Sequence, residues 1–148
     1  MNEKGRAGDL PKLFLANGYG FFLAAARIAG AGVGPDFPWP PFFVNIGYAF
    51  ELSLKAYVLQ HGGTEELCRN AIRHDLSRAI VESRSRGLAQ PSDDVYALLS
   101  KIGPYHRDHS FRYMTPIDET ALPDVAHTLV VTNQHLSSIA KQLSELLP

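Results

Sequence analysis

Residues 42–60 read FFVNIGYAFELSLKAYVLQ. Phe43, Ile46, Gly47, Phe50, Leu54, Tyr57 and Val58 recur in steps of three and four, the spacing at which side chains share one face of a helix. This predicts a helix from Phe42 to Gln60. The glycine pair Gly62-Gly63 at its exit can take the left-handed conformation that ends helices. Two charges interrupt the apolar run. Glu51 and Lys55 stand at i, i+4 in the order that favours a same-helix ion pair. In so apolar a helix the pair is either an ordinary surface bridge or part of an internal polar network or ligand site.

Upstream, residues 30–41 read GAGVGPDFPWPP and cannot continue a helix, because prolines remove backbone donors and glycines free the chain. Phe37 and Trp39 are the expected anchors of this loop. Before it, Leu13, Phe14, Phe21, Ala24, Ala25 and Ile28 recur at helical spacing from Leu10 to about Ala29, with Pro11 in the first turn. The small residues Gly18, Gly20 and Ala24 would let a neighbouring helix come close. Residues 1–9 are polar and are expected to form a frayed tail. The apolar stretch from Phe14 to Gly30 is interrupted by Asn17, Gly18 and Gly20 and is shorter than the roughly 20 residues of a membrane span. We expect a core helix of a cytoplasmic protein, with no membrane association.

Downstream, Thr64 followed by Glu65 and Glu66 suits a helix start. His74-Asp75 offers another, with Leu76, Ala79, Ile80 and Ser83 on one narrow apolar face up to Gly87. Pro91-Ser92-Asp93-Asp94 opens a further helix with Val95, Leu98, Leu99 and Ile102 as its buried stripe, and Gly103-Pro104 is expected to stop it. After a connection through Tyr113 and Pro116, the last helix places Val125, Leu129, Thr132, Leu136, Ile139, Leu143 and Leu146 in a seam that is either core or a dimer face. Strand signals are weak throughout. The expected fold is therefore all-α, one domain over residues 1–148.

The 148 residues carry 45% hydrophobic and 20% charged side chains, enough to bury a core. A net charge of -1 gives no overall pull toward nucleic acid or anionic membrane, so any such attraction must be local. It is local here: from Arg69 to Arg112 there are eight Lys and Arg against five Asp and Glu, a net +3. His74, His106 and His109 lie in the same segment and add charge below neutrality. This segment is either a solvated, arginine-rich surface or an anion-binding one. The lone Cys68 rules out an internal disulfide and a cysteine-based zinc site, which fits a reducing compartment.

Two groups of residues could carry chemistry. Arg69, Asn70 and His74 supply the residue types that phosphodiester cleavage uses: arginine on developing negative charge, an amide to orient, an imidazole to move a proton. On a regular helix, however, Arg69 and His74 stand about 140° apart around the axis, so they converge only if the helix breaks between them or a partner chain completes the site. The second group runs from Tyr105 to Tyr113, where His106, Arg107, His109 and Arg112 alternate with aromatic residues. Such a loop can stack on a base and pair with a phosphate; alternatively Phe111 and Tyr113 anchor it while Arg112 pairs with an acid such as Glu51. Arg73 belongs with the same candidate anion or RNA contacts. His106 and His109 lack a third ligand, so no metal is expected, and no cofactor-binding motif is present.

The run Asn45-Ile46-Gly47-Tyr48-Ala49-Phe50-Glu51-Leu52-Ser53-Leu54-Lys55-Ala56-Tyr57, then His74-Asp75-Leu76, then Phe111-Arg112-Tyr113, resembles prokaryotic members of the HEPN superfamily. The resemblance covers roughly residues 42–113. It implies an up-and-down bundle of four to five helices, frequently a homodimer, from toxin-antitoxin, defence or RNA-processing systems. Active members are metal-independent endoribonucleases with an Arg-x(4 to 6)-His motif, which Arg69, Asn70 and His74 match in letters. Active members carry that motif later in the bundle, and His74-Asp75-Leu76 also resembles a structural signature of non-catalytic relatives. The resemblance thus leads us to expect RNA or nucleotide binding, with or without ribonuclease activity. The alternative is a non-catalytic interaction module, such as an antitoxin-like regulatory partner, using the C-terminal seam.

Overall fold

A computed structural model of the chain describes residues 3–113 and 117–144, with side chains from residue 8 onward. Among the described residues there are five α-helices: α1 (Glu3–Gly30), α2 (Trp39–Gln60), α3 (Leu76–Ser85), α4 (Asp93–Arg107) and α5 (Val125–Ser144). A π-helical turn, Leu67–Ile72, precedes α3, and a single 3-10 turn, Glu119–Ala121, precedes α5. Among the described residues there is no strand, and the all-α expectation holds.

The helix predicted over residues 42–60 is the axis of the molecule, and α2 packs against every other α-helix. It begins three residues earlier than expected, because Pro40 and Pro41 occupy its first turn, where no backbone N–H is needed. Phe37 and Trp39 do hold the preceding loop: their rings meet edge-on at 4.9 Å and Phe37 is buried. Gly62, with φ +86°, supplies the left-handed residue after α2.

α1 departs from expectation twice. It starts at Glu3 rather than Leu10, so residues 3–9 extend the helix instead of forming a tail; Glu3, Lys4, Arg6 and Ala7 all favour helix. Nor is it a core helix. Its buried residues are Pro11, Gly18 and Ala25, seven apart, a narrow line of small side chains laid on α2. A Cβ at Gly18 would come within 3.2 Å of the Ala49 carbonyl, so the two backbones approach closely there. Leu13 and Leu23 on other sides of α1 are exposed. By length and composition α1 and α2 could each cross a membrane; α2 is mostly buried inside the protein and α1 is not.

Asp75 caps α3, its carboxylate accepting the Arg78 N–H, and the predicted face of Leu76, Ala79, Ile80 and Ser83 is buried. Ser92 caps α4 in the same way through Val95. Gly103-Pro104 does not stop α4, which runs on to Arg107. The stripe Val95, Leu98, Leu99 and Ile102 therefore gains one more turn, and His106 becomes its last buried member. On α5, Val125, Thr132, Leu136 and Ile139 are buried and Leu129 and Leu143 pack half-buried against the core. The seam faces inward onto α1, α2 and α4 and is core, not a free dimer face. Pro116 and Leu146 lie outside the described residues.

Candidate functional site

The site is built around one carboxylate in the middle of α2. Glu51 is 3% exposed, yet both its oxygens are engaged. Oε1 accepts a hydrogen bond from Lys55 Nζ at 2.7 Å. Oε2 accepts from His106 Nε2 at 2.6 Å and from His74 Nδ1 at 3.0 Å. A carboxylate only accepts, so His74 carries its proton on Nδ1 and His106 on Nε2. Of the two readings of the Glu51–Lys55 pair, the internal polar network is the one realised, with both side chains under a tenth exposed.

The chain delivers His74 to this carboxylate by leaving the helix. The π turn ends with Arg73 N–H bonded to the Cys68 carbonyl at 2.9 Å, and Arg73 takes φ +52° with ψ −115°, a backbone conformation that favours glycine and that a residue with a Cβ adopts at a cost of about 1–3 kcal/mol. Its carbonyl accepts a second hydrogen bond from Lys55 Nζ at 2.6 Å, and this grip offsets the strain. His106 arrives from α4, and Gly47 makes room for it: a Cβ at Gly47 would overlap the imidazole.

Around this centre the Tyr48 ring stands edge-on to both His106 (5.0 Å) and His74 (6.2 Å) and stacks on Phe21 of α1. Its hydroxyl accepts from Arg112 Nη1 at 3.2 Å. Arg112 thus pairs with Tyr48, not with Glu51, whose oxygens are already taken. The His109 ring lies 4.5 Å from that of His74, and His109 also has a positive φ, 59°. Phe111 anchors the loop, stacked on Phe43 at 5.6 Å, whereas Tyr113 is 71% exposed and meets the His109 ring edge-on at 6.3 Å.

Electrostatics separate the members. Burial alone would raise the Glu51 pKa, but hydrogen bonds and charge from His106, Lys55 and His74 outweigh it and bring the carboxyl to about 2. His109 is pushed down, first by desolvation and then by His74 and Arg112 beside it. Burial pushes the Cys68 thiol up, which suits a packing role and not a nucleophile. The result is a carboxylate ionised at neutral pH under a pair of imidazoles. His74 has a third of its side chain exposed, and with Nδ1 on the carboxylate its Nε2 is the ring nitrogen left to meet a ligand.

Of the residues singled out from sequence, Glu51, Lys55, His74, His106, His109 and Arg112 come together here. Arg69 and Asn70 do not join them: both are exposed on the π turn, and among the described residues no hydrogen bond or ion pair links either to His74 or Glu51. The helix does break between Arg69 and His74, as convergence required, but the break serves to place His74 on Glu51. Arg73 contributes its carbonyl while its side chain is exposed, and Arg107 pairs at the surface with Asp108 at 3.2 Å. His106 and His109 are not the potential metal-ligand pair. The ligand atoms that converge, all within 4.8 Å of one another, belong to Glu51, His74 and His106. Sequence reasoning missed the roles of Tyr48 and Gly47 and the bond from His106 to Glu51; the signal for the last was the step of four from Ile102 to His106.

In comparison with known proteins, no family model, no curated protein and no solved structure matches this chain.

Proposed function

We propose that this protein is a HEPN-like helical bundle that binds RNA or a nucleotide-like anion at the His74–His109 edge and cleaves RNA there by acid–base catalysis. The observation that supports this most is the Glu51–His74 hydrogen bond at 3.0 Å with the His109 ring 4.5 Å beyond it. A carboxylate on Nδ1 fixes the tautomer that leaves Nε2 as a base and stabilises the imidazolium once it forms. In the proposed step His74 takes the proton of the 2′-hydroxyl, whose oxygen bonds to phosphorus as the bond to the 5′-oxygen breaks. His109 returns a proton to that leaving oxygen; desolvation and the neighbouring Arg112 hold its pKa down, and a bound phosphate would counter the charge of Arg112. Arg112 faces the phosphate charge, and the exposed Tyr113 offers a stacking surface. Arg69 and Asn70 have no part in this assignment.

A fluorogenic RNA assay in EDTA tests it. Cleavage should fall at least about 100-fold in His74→Ala with the helical circular dichroism unchanged. Salt-sensitive RNA binding without cleavage would reduce the proposal to a binding role. Absence of both would favour the second reading, a non-catalytic interaction module. Exposed Leu13 and Leu23 on α1 favour that reading more than the α5 seam, which is buried. A homodimer or an antitoxin-like partner would then use α1.

A further inference from the structure

Glu51, His74 and His106 form more than a proton network. We propose that these three side chains are a binding site for one divalent transition-metal ion, of the zinc, cobalt or nickel type, that holds His74 and so blocks the site reversibly. The ligand atoms are Glu51 Oε2, His74 Nδ1 and His106 Nε2, contributed by α2, the turn before α3, and α4. Oε2 already lies 2.6 Å from one nitrogen and 3.0 Å from the other. A tetrahedral ion with bonds of about 2.0–2.1 Å holds neighbouring ligands about 3.3 Å apart, so Oε2 needs to move from each nitrogen by well under about 1 Å, while the two nitrogens already lie within 4.8 Å of one another. Each imidazole stays neutral by moving its proton to the other ring nitrogen, so no net charge is lost on binding.

Two further features define the ion. Lys55 stays on Oε1, so the carboxylate is left with one oxygen to offer, and Arg73's carbonyl keeps the ammonium in place. A site of two imidazole nitrogens and one carboxylate oxygen beside a fixed positive charge selects nitrogen-binding ions over magnesium or calcium, which need several oxygens. Three protein ligands leave a fourth position for water or a phosphate oxygen, and the His74 side chain is a third exposed, so solvent reaches this side of the site. Binding stands on its own; its inhibitory effect rests on the proposed acid–base role of His74.

Cobalt(II) titration of the whole protein reads the site through its visible absorption, with zinc(II) as competitor. The expected result is one cobalt per chain in a four- or five-coordinate spectrum, displaced by zinc and unaffected by excess magnesium. His106→Ala and His74→Ala should each weaken binding at least about tenfold, and His127→Ala, on the exposed start of α5, should not. His74 is partly exposed, so its variant remains decisive if His106→Ala does not fold. No cobalt binding, or binding of equal strength in the His74 variant, would overturn the site. Zinc should also inhibit RNA cleavage, with EDTA restoring it. If the protein binds cobalt as described but shows no cleavage, the metal site stands and the ribonuclease proposal fails.

Discussion

Two buried imidazoles lie on different sides of α2 and are held in different ways. His135 of α5 meets Ser53 Oγ at 2.9 Å and lies against the Phe50 ring at 4.5 Å. His106 of α4 meets the Glu51 carboxylate at 2.6 Å. Glu51 and Ser53 are two residues apart, about 200° around the helix, so α2 carries one polar spot toward α5 and another toward α4. The first spot is a hydroxyl in apolar surroundings, and burial pushes His135 down to about 3 and keeps it neutral. The second is a carboxylate connected through His74 to solvent. The partner, more than the burial, separates a packing histidine from one that can take part in proton transfer.

The sharpest way to break this contrast is Glu51→Gln. It leaves the Lys55 ammonium buried without its counter-charge, and removing one partner of a buried pair costs about 3–5 kcal/mol. Urea denaturation should show a loss of that order; a change below about 1 kcal/mol would mean that the network contributes little to folding.

A more gradual effect, smaller at each pH step, should appear on the His135 side as the pH falls. Unfolded histidine takes up a proton near pH 6.5, whereas the folded side chain resists until about 3, so the unfolded state gains protons first and stability drops across that window. The slope is at most about 1.4 kcal/mol per pH unit. Glu51 acts in the same direction, but only between its ordinary value of 4.5 and about 2. The slope between pH 6.5 and 4.5 should therefore flatten in His135→Gln, as followed by melting temperature against pH.

The smallest expected change tests the approach of His106. Gly47→Ala puts a Cβ into the imidazole and should cost about 1–3 kcal/mol. RNA cleavage should fall with it, and the His135-linked pH slope should remain.

The helices were largely legible because each buries a stripe at regular spacing and most starts carry a capping side chain, as at Asp75 and Ser92. Proline misled at Pro104. Its missing N–H did not end α4, and reading it as a stop hid the turn that buries His106. The site was legible in composition but not in geometry. Glu51, His74 and Arg112 stood out by residue type, yet Arg69 and Asn70 stood out equally. Only the positive-φ backbone at Arg73 decides that His74 turns to Glu51 while the two earlier residues stay outside, and a local spacing does not reveal a reversal of that kind.

That reversal also bears on which letters position 73 can carry. Lys55 grips main chain there, not side chain, so the guanidinium is dispensable to the architecture while the shape is not. Glycine or asparagine would suit the bend better than arginine does, and a β-branched residue would suit it worst. An arginine at a place where the backbone would prefer a smaller residue gives reason to look outward along its side chain for what it meets.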